Sequence, residues 1–468
     1  MNSTTDFDNS ETQSATNARM IGLLLVTIGA TIFLWWGSSM AFTSPHGMCD
    51  FETVYNHARV VIEKGDPYLE SRAVYSRMNN EDYLDQRSTS VYGLPVMICV
   101  YPPTSLFVVA PLAYLHWEQA RLLWMIVLSG GLVVSALLIW DVCADYEPVL
   151  SGALIGFLLA NSETLLFEGN AGGIAVSLCV VAVWCFLRNR LGWVGVCCLA
   201  LSLAVKPHDA GLVWLYFVFA GGLYRKRALQ TVAVTAVVGL AAVLWVSQVS
   251  PNWLHEMSVN LTTVVARGQV NDPGPTSGTP LLTNSAINMQ TVFSVFWNEP
   301  RFYNPVSYLL GGALMIVLLR AMFRLHFSRV NAWLILAAIV PLSMLPIYHR
   351  HHDAKILLLS IPACVMLWGK ASPHGRLGVL VTLAGLAATG DVPRALLSPL
   401  IQSLNLSTAT LSGKILTVAV ARPAPLALLA MTIFFLWALV RVAPTWLETE
   451  ESPRSEMDQI ESSPGLSA

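Results

Sequence analysis

The residues able to do chemistry fall into a few groups, and the densest is His349-Arg350-His351-His352-Asp353 with Lys355 just beyond. Adjacent histidines on a helix point about 100° apart, and no HxxxH or HxxE spacing sets two ligands on one face, so metal binding is the weaker reading. Arginine and histidine donors aimed at a phosphate in a partly dry site fit the group better. A second group is Lys206-Pro207-His208-Asp209, whose lysine either binds an anionic headgroup or snorkels to an interface. A third begins at Asp50 and Glu52. From there Phe51, Val54, Tyr55, Ala58, Val61 and Ile62 recur at helical spacing up to Gly65, which sits where a C-terminal cap belongs. Asp50 is then either the N-cap of an amphipathic helix or a carboxylate held above a membrane, where it can take a proton from an alcohol. Asn161, Glu163, Glu168 and Asn170 interrupt an apolar stretch, and costly ionisable groups at such depth favour a cavity or a partner. Tyr101 precedes Pro102-Pro103, a pattern of an interfacial aromatic at a helix start.

The elements that must position these groups are membrane helices. Of the 468 residues, 54% are hydrophobic and only 12% charged, where a soluble domain carries about 25% charged residues. The chain therefore reads as an all-α, polytopic integral membrane protein. A net charge of −2 argues against a nucleic-acid binder. The eight cysteines mostly lie in apolar runs without a CxxC pair and read as small hydrophobes, not as a disulfide or zinc framework.

Short loops rich in Lys and Arg stay cytoplasmic, and such clusters occur at Arg188/Arg190, 225–227, Arg320/Arg324/Arg329, Lys370/Arg376 and Arg441. Placing all of them inside gives about twelve spans near 20–41, 103–116, 119–140, 170–187, 191–205, 210–224, 228–248, 305–320, 330–347, 354–369, 377–390 and 423–441. Parity then makes the apolar stretch 149–160, continuing to 168, a re-entrant or broken segment lining a cavity. One domain over 20–445 is expected, between disordered cytoplasmic tails at 1–19 and 446–468, with the first span a retained anchor. Two long outer loops follow, about 43–102 and 249–304. The second holds Asn271-Asp272-Pro273-Gly274-Pro275 and Asn284-Ser285 and suits a mobile loop over a site, or a plain connector.

The segments DFETVYNHARVVIEKGDPY, VYPPTSLFVVAPLAYL, NSETLLFEGNAGG, ALSLAVKPHDAGLVWLYF, LTNSAIN and LPIYHRHHD, in this order across residues 20 to 370, resemble glycosyltransferase family 87 of the GT-C superfamily. That resemblance implies a polyprenyl-phosphate-mannose donor, an extracytoplasmic active site in the cell (inner) membrane, an essential aspartate at Asp50 and an assisting histidine among His349, His351 and His352. Family members often carry Gly-Gln where this chain has Gly169-Asn170. The expected reaction moves a hexose to a hydroxyl of a cell-envelope glycan or glycolipid by direct displacement with inversion. Asp50 is the expected base and His351 its helper. Lys206, Arg350 and Lys355 are the expected phosphate-binding cations, and no metal or other cofactor is expected beyond the lipid-linked sugar. Glu52, Tyr101, Glu163, Glu168, His208, Asn284, His349 and His352 are further cavity candidates, with Glu52 the nearest second carboxylate should the enzyme be retaining. A secondary transporter is the competing class, disfavoured because no internal repeat is evident.

Overall fold

The computed structural model describes residues 4–45, 47–80, 97–269, 271–274, 286–324, 329–370, 373–404 and 409–442. It is all-α. The helices in chain order are α1 (Thr4–Thr43), α2 (Cys49–Ile62), α3 (Pro67–Asn80), α4 (Pro103–Ala113), α5 (Trp117–Cys143), α6 (Pro148–Leu159), α7 (Glu163–Glu168), α8 (Gly172–Leu187), α9 (Gly192–Val205) and α10 (Pro207–Ala220). There follow α11 (Gly222–Ser247), α12 (Trp253–Val264), α13 (Met289–Phe296), α14 (Pro300–Arg324), α15 (Arg329–Met344), a 3₁₀ segment (Asp353–Ser360), α16 (Ile361–Gly369), α17 (Pro373–Ala388), α18 (Asp391–Ser403), α19 (Leu411–Ala421) and α20 (Pro423–Arg441).

Among the described residues six helices are long and apolar enough to cross a membrane, and five more apolar helices are 10–17 residues long. Large apolar side chains stand exposed on the outside of α1, α11 and α14, among them Trp35, Val237 and Leu309, as expected of surfaces that face hydrocarbon. Helix already begins at Thr4, where an irregular tail was expected, because extending a helix nucleated by a membrane span costs little.

The largest departure from expectation concerns which elements cross. The segment from 148 to 168, expected to be re-entrant or broken, is broken at 160–162 and yet forms one 21-residue candidate span. It runs parallel to α1. Gly22 abuts Pro148 and Gly152, Gly29 abuts Gly156, and Gly37 abuts Leu166. A Cβ on Gly29 would lie 2.2 Å from the Gly156 carbonyl oxygen, so these small residues are what lets the two backbones close. The break at 160–162 is satisfied internally, as depth in a membrane demands. The Asn161 side chain donates to Phe157 O at 2.8 Å, and Ser162 Oγ to Leu158 O at 2.6 Å.

The element that fails to cross is instead α4, whose 11 residues reach only about 16 Å. Both its ends lie on the side that carries α2: Ser105 Oγ donates to Val205 O, and Tyr55 of α2 donates to Leu115 O, each at 2.8 Å. Helix α5 then runs antiparallel to α1. Arg121 near its start lies over the Phe42 ring, while Asp145 just past its end pairs with Arg19. Because one span is lost and one gained, every later crossing keeps its expected direction, and the basic loops remain on one face. A sharper bend, of 67°, comes later, between His374–Ala388 and Asp391–Pro399.

Candidate active site

The site is built on the face opposite the basic loops, and α2 is its first support. The helix starts at Cys49 after Met48, which takes left-handed backbone, and Asp50 makes no capping bond. Its C-terminus closes with Lys64 left-handed, Lys64 N donating to Val61 O and Gly65 N to Val60 O. A Cβ on Gly65 would press on Val60 Cγ1 at 2.8 Å and displace the exposed Glu70 carboxylate. Phe51 stacks on Trp124 at 4.5 Å and on Trp117 at 5.6 Å between ring centroids, which fixes the rotation of α2 against α5. That rotation turns Asp50 toward the turn between α7 and α8.

There the side chain of Asn170 donates from Nδ2 to Asp50 Oδ2 at 2.5 Å and accepts from Gly172 N at 2.7 Å. Gly169 supplies left-handed backbone, and its carbonyl accepts from Trp124 Nε1 at 2.8 Å. Gly172 has no room for a side chain, since a Cβ would lie 2.4 Å from Asp353 Oδ1 and 2.9 Å from Lys206 Nζ. Lys206 donates to Asp353 Oδ1, with Asp209 Oδ2 at 3.8 Å on its other side. Asp353 Oδ2 in turn accepts from Arg350 N at 2.9 Å. Arg350 donates from Nη2 to Asn271 Oδ1 at 2.9 Å and from Nε to the Tyr348 hydroxyl.

These groups open onto one cavity of about 640 Å³. Its polar end holds Asp50, Asn170, Lys206, Asn271, Arg350 and His352. Its apolar wall comes from Met97, Ile98, Val100, Val205, Met257 and Leu261. The wall is braced by Asn260, which donates to the Tyr68 and Cys99 carbonyls at 3.1 and 2.9 Å, and by the Arg72–Glu256 ion pair between α3 and α12.

Electrostatics sharpen the picture. Burial, reinforced by Glu168, raises the Asp50 carboxyl above the usual range, while Arg350, His352 and the Asn170 bond pull it back. Burial pulls Lys206 down, but Asp209 and Asp353 outweigh it and hold the ammonium above its ordinary value. Asp353 is driven far down by Lys206 and the neighbouring histidines against the upward effect of burial. For Arg350, burial is outweighed by Tyr348, Asp50 and Glu168, so the guanidinium stays charged. A permanent cation therefore stands near a carboxyl able to hold or release a proton.

The expected residues divide cleanly by position. Asp50, Tyr101, Lys206, His208, Arg350 and His352 line the cavity. Glu168 lies immediately behind, its carboxylate 2.8 Å from His352 Nδ1. His349 is buried against Asp209 at 3.3 Å.

The other expected residues are placed elsewhere. His351, expected as the assisting histidine, points into a separate small cavity with Arg394 and Arg422, because successive residues of the turn alternate sides. Lys355, expected on the phosphate, is buried and donates to Asn161 O at 2.6 Å, so it closes the α6–α7 break. Glu163 is buried in the same break, where Thr164 N donates to Asp391 Oδ2 at 2.9 Å. Glu52 is buried on the far side of α2, near Asn56 and Arg121, and burial pushes it up to about 7. Asn284 lies outside the described residues. The structure adds Tyr348 to the site and gives Asn271 and Asp353, noted in sequence only as part of a loop and of the histidine-rich group, definite partners in Arg350 and Lys206.

The fold thus gathers a buried carboxyl and fixed cations in one half-apolar cavity of a polytopic helical membrane protein. The model of glycosyltransferase family 87 matches residues 100–347, more than half of the sequence, and the chain belongs to that family. Its apolar helices are those of a multi-pass membrane protein. Among solved structures it is similar to the oligosaccharyltransferase of Archaeoglobus fulgidus in the apo form, at 14% identity and a TM-score of 0.34, with 88% of this chain covered. The match covers 56% of that chain's length. No curated protein matches.

Proposed function

We propose that this protein transfers mannose from a polyprenyl-phosphate-mannose donor to a hydroxyl of a cell-envelope glycan or glycolipid, on the extracytoplasmic side of the inner membrane and with inversion. The observation that carries the reading is the cavity itself: Asp50 and Arg350 share its polar end, and its other wall is apolar. A polyprenyl chain or an acceptor lipid fits the apolar wall, and the sugar and phosphate fit the polar end.

Asp50 is the base. Its carboxylate takes the proton of the acceptor hydroxyl as that oxygen attacks the anomeric carbon. The bond from that carbon to the phosphate oxygen breaks, and the developing charge meets the fixed cations Arg350 and Lys206. His352, held by Glu168 at 2.8 Å, is the histidine placed to donate to the same phosphate. Inversion is favoured because, among the described residues, Asp50 is the carboxylate presented to the cavity; Glu168 is occupied by His352 and Glu52 faces away. A retaining enzyme needs a second carboxylate free to act as nucleophile.

The test is transfer from labelled polyprenyl-phosphate-mannose by purified protein in lipid discs, comparing wild type with Asp50→Asn. Product with inverted anomeric configuration from the wild type, and its loss in the variant with donor binding retained, is the expected result. Equal transfer by both would remove Asp50 from the chemistry.

A further inference from the structure

We propose that His208, Asp209 and His349 form a binding site for a divalent transition-metal ion of the zinc type, beside the cavity and separate from the reacting groups. His208 and Asp209 open α10, whereas His349 belongs to the turn some 140 residues later, so no local spacing announces the set. The fold brings their donor atoms within 4.8 Å of one another. His349 Nε2 is 3.3 Å and His208 Nε2 3.7 Å from Asp209 Oδ1, with the two rings edge to face at 4.9 Å.

Three observations favour a metal over a plain ion pair. First, both Asp209 oxygens, His349 Nε2 and His208 Nε2 are buried without a hydrogen-bond partner, and Asp209 and His349 are only 2% and 1% exposed. A buried carboxylate left unpaired costs several kcal/mol, which a cation held between these atoms relieves. Second, the spacings fit coordination. Metal–ligand bonds of about 2.0–2.2 Å in a tetrahedron put neighbouring donors roughly 3.3–3.6 Å apart, close to the 3.3 and 3.7 Å seen. Third, His349 Nδ1 lies 3.2 Å from the Ile347 carbonyl, the contact that fixes a histidine tautomer and leaves Nε2 as the lone pair for a metal. Two imidazoles and one carboxylate suit zinc, with a fourth position open on the side where His208 fronts the cavity.

Lys206 is the opposing charge, but it faces the other oxygen, Oδ2, at 3.8 Å and is paired with Asp353. A second cluster of similar type, Asp50, Glu168 and His352, is a poorer candidate. There Asp50 accepts from Asn170, Glu168 is paired with His352, and the Arg350 cation stands alongside. The ion at Asp209 would pin the start of α10 to the turn that carries Arg350, a positioning role.

The full-length protein in lipid discs, stripped with a chelator, is titrated with Co²⁺ and followed by visible absorption. One equivalent giving the intense bands of a tetrahedral ion, displaced by Zn²⁺, is expected, together with a Zn²⁺-dependent rise in thermal midpoint. Asp209→Asn and His208→Gln, each checked for a cooperative metal-free melting transition, should weaken Co²⁺ binding by at least about 100-fold, more than loss of an outer contact does. Should Asp209→Asn not fold, His208→Gln at the cavity edge carries the comparison. Absence of stoichiometric binding by the wild type, or equal binding by the folded variants, overturns the proposal.

Discussion

Asp50 and Glu52 stand two residues apart on α2, both carboxyls are buried, and burial raises both. They nevertheless have opposite prospects. Two positions on a helix are about 200° apart, so whatever packing fixes one toward the cavity fixes the other away from it. The stack of Phe51 on Trp117 and Trp124, between them in sequence, makes that choice. Asp50 thereby gains an amide donor, a nearby guanidinium and an opening of about 640 Å³. Glu52 gains only Asn56 and Arg121 and keeps one oxygen without a partner. A raised acid is thus a sign of burial, and what makes it a candidate base is the combination with a cavity and a fixed cation.

The sharpest way to break this contrast is to neutralise each carboxyl in turn. Asp50→Asn should reduce transfer by between about a hundred- and ten-thousand-fold, the range a positioned base supplies, without loss of melting temperature. Glu52→Gln should leave transfer within a few-fold. Comparable losses in both would mean that α2 matters only as a support. The next largest effect concerns the amide. Asn170→Ala removes a hydrogen bond to a charged acceptor, worth about 1.5–3 kcal/mol, so a roughly tenfold to hundredfold loss in kcat is expected. Asn170→Gln, which keeps the amide, should recover part of it.

A pH profile sharpens the comparison further. The base must be ionised, and its folded pKa is raised, so transfer should fall as pH drops through that raised value instead of near 4. Removing the Asn170 bond, which favours the ionised form, should move this acidic limb to higher pH. Glu52→Gln should leave the limb where it is, even though Glu52 titrates near 7. The same front-and-back logic holds for the turn after α15. His352→Gln, at the cavity, should lower transfer at least about tenfold, and His351→Gln, on the other side, by less than that, read as initial rates at saturating donor.

Much of the fold was legible because composition and basic loops constrain a membrane protein strongly. Parity was legible too, yet it could not tell α4 from α6–α7. What separates them is the helix that continues past the polar break at 160–162 to residue 168, and a row of glycines, Gly152 and Gly156 against Gly22 and Gly29, whose meaning depends on their partner helix. In the site, Asp50, Arg350 and Lys206 were readable as residue types in outer loops. Which histidine faces inward was not, because helical spacing was assumed where successive residues of the turn in fact alternate sides. Asn170 was half visible: the amide was noted as a departure from Gly-Gln, but its bond to Asp50 belongs to tertiary structure. Lys355 shows the converse failure, a cation in the right sequence neighbourhood that serves the α6–α7 break.

The smallest expected effect separates stability from catalysis on the same helix. Burial raises Glu52 from 4.5 to about 7. Between those values the unfolded chain is ionised at this position while the folded protein keeps the proton, so the unfolded state binds fewer protons and stability declines as pH rises. Above about 7 both states are ionised and the cost stays constant. Glu52→Gln removes this cost. The variant should therefore be more stable than the wild type by about 1–2 kcal/mol at pH 8, and the gain should shrink toward zero near pH 4, measured as the difference in thermal midpoint across that range. A gain at pH 8 without change in transfer rate would show that α2 carries one carboxyl for chemistry and another at a cost to folding. A loss of stability that grows as pH rises would instead mean that the Glu52 carboxylate is a productive partner of Arg121.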